Sequence, residues 1–241
     1  MDPSAALAAV LADELSRCGV TEAVVSPGSR SAPLARALWA HPGITVHVRF
    51  DERSVGFLAV GLARGSGRAA AVVCTSGTAA ANLHPAVLEA HHDQVPLILL
   101  TADRPPELRG IGAGQTIDQI KLYGTTVRFF AELSVPERRL GQTGYWRSVA
   151  CRAVIAARTG PAHLKIALRE ASGHEQADRW PERLDGRAGG LPWTAVPATA
   201  APAVDIAAPA RGVVAAGAGA DPVASVAFAE LAGCCSPNHK P

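Results

Sequence analysis

Short apolar runs alternate with longer amphipathic segments over the first two thirds of the chain. Six runs have the length and composition of strands, at residues 23–25, 44–50, 70–74, 96–101, 126–130 and 162–167. Four segments have the length and spacing of helices, at residues 4–17, 54–63, 78–90 and about 144–157. Because the strands are almost continuously apolar and alternate with helices, the pattern predicts an α/β fold with a parallel sheet covered on both faces.

The composition changes after residue 171, where the chain becomes rich in Pro, Ala and Gly and loses its periodicity. Such a stretch is typical of a linker. A new βα unit then begins but does not finish, and the last residues are polar and break the helix, so we interpret the chain as truncated or frame-shifted. The predicted organisation is a domain, a linker, the beginning of a second α/β domain and an atypical tail, at residues 1–172, 173–210, 211–232 and 233–241.

Composition excludes several classes of protein. The chain has 241 residues, 48% of them hydrophobic, which suffices for one full α/β domain and part of another. No apolar run approaches the ~20 residues of a membrane span, and no secretory signal is visible. The net charge of +2 comes without a dense basic cluster, which argues against nucleic-acid binding. The five cysteines lack metal-ligand spacing and indicate a reducing cytoplasm, with Cys18, Cys74 and Cys151 expected in the core.

Polar turns follow four of the predicted strands, at residues 26–31, 51–54, 75–78 and 101–107. Ligands bind at the carboxyl ends of the strands in open α/β sheets, so four such turns predict one pocket. The second turn carries adjacent carboxylates, Asp51 and Glu52, between an extended run and an apolar helix. Two adjacent carboxylates at this point are well placed to take part in catalysis.

Each turn taken alone has a simpler interpretation. In the first turn, Gly28 permits a tight bend and Ser29 or Ser31 can cap a helix, although helix-start N–H groups and Arg30 also suit an anion. The turn at 75–78 can likewise be a bare helix cap. Arg104 can be a solvated loop charge, although two prolines stiffen the loop that carries it. The glycine-rich segment 110–115 suits a loop that closes over a ligand, with Gln115 facing inward.

The motifs are far more specific together, because they occur in a fixed order: PGSRSAPL, DERS, TSGTA with ANL, TADRPPEL and QTIDQ, at residues 27–34, 51–54, 75–83, 101–108 and 115–119. This series resembles the 2-succinyl-5-enolpyruvyl-6-hydroxy-3-cyclohexene-1-carboxylate synthases of menaquinone biosynthesis, which depend on thiamine diphosphate, and it is most similar to their actinobacterial type. The resemblance is dense over residues 4–172 and loose over 211–232.

The resemblance implies that residues 1–172 are a pyrimidine-binding domain. Glu52 would be the catalytic carboxylate, hydrogen-bonded to the pyrimidine ring nitrogen of thiamine diphosphate, with further cofactor contacts from Thr75, Ser76, Gly77 and Thr78. The substrates would be 2-oxoglutarate and isochorismate. Because both carry carboxylates, an arginine-containing pocket is expected. Their implied contacts are Ser29, Arg30, Arg104 and Gln115.

The resemblance also sets expectations beyond this chain. Cofactor-bound Mg²⁺ would be held by a Gly-Asp-Gly…Asn motif in a C-terminal domain, and this sequence has no Gly-Asp-Gly, so no metal ligand is expected in it and the chain alone should be inactive. A homodimer or higher homo-oligomer would complete the pocket. The family usually has Asn where this chain has Gly114, which would remove a hydrogen-bonding amide.

Three alternatives remain open. An acetohydroxyacid synthase shares the fold and the glutamate, but would not predict Ser29-Arg30 or the DRPP loop at residues 103–106. A truncated, non-catalytic fragment could pair with a partner subunit. A nucleotide-binding α/β protein would need the glycine fingerprint, which residues 217–222 do not complete because proline replaces the third glycine.

Overall fold

The computed structural model describes residues 1–169 and 180–196, together with residues 226, 227 and 230. The chain divides into two compact units, Met1–Val196 and Pro197–Pro241, and the first contains nearly all described residues. The predicted second α/β domain lies almost wholly outside the described residues, and the predicted tail lies entirely outside them. In the described part, no helix combines the length and apolar character needed to cross a membrane.

The first unit contains one sheet flanked by helices. The strands are β1 (Glu22–Val25), β2 (Thr45–Val48), β3 (Ala70–Cys74), β4 (Leu97–Asp103), β5 (Phe129–Leu133) and β6 (Ala162–Ala167). The helices are α1 (Pro3–Arg17), α2 (Ala32–Ala40), α3 (Glu52–Ser66), α4 (Thr78–Asn82), α5 (His84–His92) and α6 (Gln142–Ala157). Short 3₁₀ turns occur at Pro106–Leu108, Gly124–Thr126 and Ala188–Gly190.

All six strands run parallel, in the order β2-β1-β3-β4-β6-β5. The predicted parallel α/β fold is therefore confirmed. The chain first moves from β1 outward to β2, and then returns to place β3 on the other side of β1. The direction of winding thus changes between β1 and β3, and in open α/β sheets a ligand crevice is expected at the carboxyl ends of the two strands at such a point.

A separate apolar core lies on each face of the sheet. One contains residues of α1, α2 and α6, including Leu11, Leu34 and Trp146. The other contains residues of α3, α4 and α5, including Val55 and Val87. Successive residues of β3 point alternately into the two cores. This two-sided burial is the reason for the nearly continuous apolar strands seen in the sequence.

Some predicted boundaries differ from the structure. The helix predicted at 78–90 is two helices, α4 and α5, because Pro85 lies in the first turn of α5 and cannot continue a helix from α4. The strand predicted at 126–130 is β5, shifted toward the carboxyl end, and residues Gly124–Thr126 form a 3₁₀ turn instead. A 3₁₀ turn and an edge strand carry weak periodicity, which explains the displacement.

Part of the stretch interpreted as a linker packs against the first unit. Trp180 and Leu184 contact the core beside α1 and α6, and the Trp180 ring lies 5.7 Å from that of Trp146. The Glu182 carboxylate accepts hydrogen bonds from the backbone N–H groups of Gly141 (2.9 Å) and Thr143 (2.7 Å) at the start of α6. Scattered aromatic residues in a Pro- and Gly-rich stretch therefore dock onto the domain. The predicted domain boundaries stay predictions.

Candidate functional site

The turns that follow β1 and β3 are in close contact at the point where the winding direction changes. A methyl group placed on Gly28 would lie 2.4 Å from Thr75 Cβ, far inside van der Waals contact, so the turn after β1 requires glycine. Thr75 is itself buried. The two turns therefore lie together at the carboxyl edge of the sheet, and the pocket that they were expected to share stays a prediction.

Gly28→Ala should lower the free energy of unfolding by about 1–3 kcal/mol, because the added methyl group must displace Thr75 or the backbone. Gly61→Ala is the matched control: a methyl group there meets nothing within 4 Å, and alanine favours the helix α3 that carries it. Urea unfolding of both variants measures the difference. Equal stability of the two variants would contradict the tight contact between the turns.

Neither turn works mainly as a side-chain helix cap. Ser31 is the residue before α2, but its hydroxyl donates to the Gly28 carbonyl (3.2 Å) and makes no capping hydrogen bond. Gly77 is the residue before α4 and has no side chain with which to cap it. The capping alternative for the two turns is therefore wrong, and their polar groups need another explanation.

The two carboxylates after β2 have different environments. Asp51 caps α3 by accepting from the Arg53 N–H (2.8 Å), and it also pairs with the Arg53 guanidinium (2.6 Å). The hydrogen bond from the Arg53 side chain, followed by that from its backbone, lowers the pKa of Asp51 to about 2. Asp51 thus has a local structural role.

Glu52 is half-buried at the first position of α3. Among residues 1–169 and 180–196, nothing donates a hydrogen bond to its carboxylate or pairs with it. The negative charge of Glu52 also acts on Cys74, at the end of β3. Burial, and to a lesser extent this charge, raises the pKa of the Cys74 thiol. A carboxylate beside the crevice that makes none of these contacts is suited to receive a donor from a ligand.

The loop after β4 is hydrogen-bonded to the turn that follows β3. Gln115 Nε2 donates to the Ser76 carbonyl (3.3 Å), and Ser76 Oγ donates to the Gln115 carbonyl (3.2 Å). Gly77 has a φ of 79°, and a Cβ there would meet the Gln115 carbonyl oxygen at 2.9 Å. These contacts bring Ser76, Gly77 and Gln115 together, whereas Thr78 is exposed beside them.

Gln119 is a residue that the sequence interpretation quoted within a motif but did not place in the site. Its side chain is buried, its Oε1 accepts from the Gly77 N–H (2.9 Å), and its Nε2 donates to the Ala102 carbonyl (3.2 Å). It therefore ties the turn after β3 to the end of β4. A glutamine next to an apolar residue carries no sequence signal of such a bridge.

Ser29, Arg30 and Arg104 lie at the same edge of the sheet. Ser29 is exposed, whereas Arg30 is buried and its Nη1 donates to the Leu168 carbonyl just after β6 (3.0 Å). Arg104 is half-buried, and its backbone N–H donates to Asp103 Oδ1 (2.7 Å). Their assignment as substrate contacts stays a prediction. A Cβ on Gly114 would meet nothing within 4 Å, so contacts at the Cβ position do not require glycine here.

A buried charge cluster supports the strand end that carries Arg104. Lys165 Nζ lies 2.7 Å from Asp103 Oδ2, and both side chains are fully buried. Lys165 also donates to Glu132 Oε1 (2.9 Å), to which Arg109 donates as well (2.8 Å). Partial burial of Glu132 opposes its ionisation, but these two donors lower its pKa overall. The sequence interpretation missed this cluster, although a lysine within an apolar strand was a visible signal.

His163 lies in the sheet beneath the same edge. Its Nε2 is 2.7 Å from Thr101 Oγ1, and its ring is fully buried. Burial, and to a lesser extent the charge of Lys165, lowers the pKa of His163 to about 3. The imidazole is therefore neutral in the folded protein at neutral pH.

His163 should make the fold less stable as the pH falls. The unfolded histidine takes up a proton near pH 6.5, whereas the folded one does so only near pH 3, so stability is lost progressively between these values. Between pH 6.5 and 5 the loss attributable to His163 should approach about 2 kcal/mol. His163→Gln should flatten the dependence of the unfolding free energy on pH in this window. An unchanged slope would contradict the burial of a neutral ring.

Comparison with known proteins gives a consistent result. Residues 5–122 match the family described as thiamine pyrophosphate enzyme, N-terminal TPP binding domain. The chain is 63% identical over 186 residues to the 2-succinyl-5-enolpyruvyl-6-hydroxy-3-cyclohexene-1-carboxylate synthase of Thermobifida fusca, an alignment that covers 76% of this chain and 34% of the relative.

Two further synthases of the same name show the same relation. The protein of Saccharopolyspora erythraea is 58% identical over 203 residues, which are 81% of this chain and 36% of the relative. That of Geobacillus kaustophilus is 52% identical over 172 residues, which are 70% of this chain and 30% of the relative. The chain thus spans about a third of the length of these relatives. It belongs to the 2-succinyl-5-enolpyruvyl-6-hydroxy-3-cyclohexene-1-carboxylate synthase family of thiamine pyrophosphate enzymes, of which it represents the N-terminal portion.

Proposed function

We propose that this chain is the pyrimidine-binding part of a thiamine-diphosphate-dependent transferase. The reaction is a decarboxylating carboligation that joins 2-oxoglutarate and isochorismate into 2-succinyl-5-enolpyruvyl-6-hydroxy-3-cyclohexene-1-carboxylate and CO₂, in menaquinone biosynthesis. One observation carries the proposal: Glu52 is half-buried beside the expected crevice, and its carboxylate makes no hydrogen bond or ion pair within the described residues. The names of the relatives support the choice of reaction.

The residues present fit the aminopyrimidine half of the cofactor. Glu52 has carboxylate oxygens available to accept from, or share a proton with, the ring nitrogen, while Asp51 is held by Arg53 and leaves this role to its neighbour. The turn formed by Thr75, Ser76, Gly77 and Thr78 follows β3, which packs against the helix α3 that begins with Glu52, and this turn would line the ring. When bound, thiamine diphosphate supplies the carbon nucleophile that reacts with the 2-oxo acid. This chain contributes the proton-holding carboxylate and the walls that orient the ring.

Substrate binding is proposed for Ser29, Arg30, Arg104 and Gln115. Both substrates carry carboxylates, for which the planar guanidinium fork is the best-suited partner. Arg30 and Arg104 both lie at the carboxyl edge of the sheet, and their positions are held by the Leu168 carbonyl and by Asp103. These positions support the assignment of two carboxylate-binding arginines to one crevice.

Subunit association is the second part of the proposal. Phe50 is 87% exposed directly before Asp51, and Phe57 on α3 is 48% exposed. Large apolar side chains exposed next to a candidate site indicate a surface that another subunit covers. A homodimer or higher homo-oligomer would bring Mg²⁺ and the diphosphate of the cofactor to Glu52. The free thiols of Cys18, Cys74 and Cys151 agree with a cytoplasmic location.

The function can be tested by segment exchange. Residues 1–169 of this chain would replace the aligned segment of the Thermobifida fusca synthase, and CO₂ release from 2-oxoglutarate would be measured with isochorismate, thiamine diphosphate and Mg²⁺. We expect kcat/KM within about tenfold of the unexchanged enzyme, a change that corresponds to about 1.4 kcal/mol. A folded exchange protein that prefers pyruvate would favour the acetohydroxyacid synthase alternative. One that binds the cofactor but turns over neither substrate would favour a non-catalytic fragment.

A further inference from the structure

Two cysteine thiols that are far apart in the sequence meet between α1 and α6. Cys18 directly follows α1, Cys151 lies within α6, and their Sγ atoms are 3.7 Å apart. Cys151 is buried, but Cys18 is only partly buried, so the prediction that Cys18 is a buried core residue was wrong. The pair is therefore accessible from one side.

The surroundings of the pair hold the Cys151 sulfur atom in place. Cys151 Sγ donates to Glu14 Oε1 (3.0 Å), and the same oxygen accepts from the Trp193 N–H (2.5 Å). The Thr194 N–H donates to Cys151 Sγ (3.3 Å). Hydrogen bonds that Cys18 and, more weakly, the Thr194 N–H donate to the Cys151 sulfur lower the pKa of Cys151. Burial and Glu14 act in the opposite direction, but the pKa is lowered overall. Cys151 is thus the better thiolate of the two.

A metal site is the other chemistry that these groups allow. Ligand atoms of Glu14, Cys18 and Cys151 all lie within 4.8 Å of one another. However, the buried guanidinium of Arg147 is ion-paired with the same Glu14 carboxylate. A cation would be placed beside this fixed positive charge and would compete with it, so the arrangement favours a reaction between the sulfur atoms.

We propose that Cys18 and Cys151 form an oxidation-sensitive dithiol that closes to an intramolecular disulfide when the protein meets a peroxide. The peroxide approaches from the side of the partly exposed Cys18, and the Cys151 thiolate attacks it. One oxygen is transferred to give a sulfenic acid on Cys151, and the rest of the peroxide takes up a proton and leaves as water or an alcohol. The Cys18 thiol then attacks the Cys151 sulfur, and its proton leaves with the sulfenic hydroxyl as water. In total the two thiols lose two protons and two electrons, and the peroxide gains them.

Closure needs only a small movement. A disulfide bond is about 2.05 Å long, so the sulfur atoms must approach by roughly 1.6 Å from their separation of 3.7 Å. The bond would join α1 to α6, two helices that pack on the same face of the sheet. Cys18 lies just before β1, at the amino edge of the sheet and away from the turns after β1 and β3. Oxidation should therefore stabilise the domain while leaving Glu52 and its crevice unaltered.

The test uses the intact 241-residue chain with all five cysteines. The protein is incubated with EDTA and hydrogen peroxide, free thiols are alkylated, and peptides are mapped by mass before and after reduction. We expect a linked Cys18–Cys151 peptide pair that disappears on reduction, and a thermal midpoint raised by about 5 °C or more. Cys18→Ser and Cys151→Ala should each abolish the linked pair, whereas the matched control Cys74→Ser should retain it.

Two outcomes would overturn the proposal. In the first, no linked peptide forms in the folded intact chain, and either thiol is oxidised to sulfinic acid or both remain free thiols. In the second, the purified protein binds one zinc ion that protects both thiols, and no disulfide forms after the zinc is removed. That result would establish the metal site instead. Circular dichroism of each variant shows whether it is folded, and the absence of a disulfide is interpreted only for folded variants.

Discussion

Glu52→Gln, placed in the exchanged synthase that carries residues 1–169 of this chain, is expected to lower kcat by about 100-fold or more. An amide can still form hydrogen bonds, but it cannot hold a proton at the pyrimidine ring nitrogen as a carboxylate does. The substitution preserves size, and the Glu52 carboxylate makes no hydrogen bond or ion pair within the described residues. The loss should therefore fall on turnover and leave the fold unchanged.

The matched control is Asp51→Asn, which alters the neighbouring carboxylate. Asp51 caps α3 and pairs with Arg53, so its replacement should reduce stability by about 1 kcal/mol while leaving kcat near the parent value. Measurement of kcat for CO₂ release and of thermal unfolding separates the two effects. If Glu52→Gln kept parental turnover, or if Asp51→Asn lost it, the assignment of the catalytic carboxylate would be wrong.

Lys165→Met should lower the free energy of unfolding by about 3–5 kcal/mol. Lys165 and Asp103 are both fully buried, with Nζ and Oδ2 2.7 Å apart. Removal of the ammonium leaves the Asp103 carboxylate in the interior with Arg109, 3.3 Å away, as its one remaining cationic partner among the described residues. Methionine matches the volume of lysine, so the loss reports the unpaired charge and not a cavity.

Urea unfolding of the 241-residue chain measures this effect. Lys121→Met is the control because Lys121 is exposed, and it should change stability by no more than about 0.5 kcal/mol. Adding Asp103→Leu to Lys165→Met should recover part of the loss, because the double variant leaves no unpaired carboxylate at this position. Additive losses in the double variant, or a neutral Lys165→Met, would show that the pair does not support the end of β4.

The parallel sheet and the polar turns at its carboxyl edge could both be predicted from local patterns. Strands such as β3 are continuously apolar because residues on both of their faces are buried, and this leaves a direct trace in composition. Glu52 could be selected because a strand end followed by a helix is itself a local feature. The split between α4 and α5 was missed although Pro85 was visible, since the surrounding apolar spacing fits one long helix equally well.

Other features depend on contacts between residues that are distant in the chain. Only the fold shows that Asp51 is held by Arg53 while Glu52 is not, that Gln119 bridges two strand ends, and that Lys165 faces Asp103. The amino-acid sequence alone determined the parallel α/β architecture, the turns at its carboxyl edge and the family resemblance. The tertiary structure alone decided which polar groups are paired and which thiols meet. Periodicity and turn chemistry act over a few neighbouring residues, whereas pairing depends on where the packed sheet brings remote side chains together.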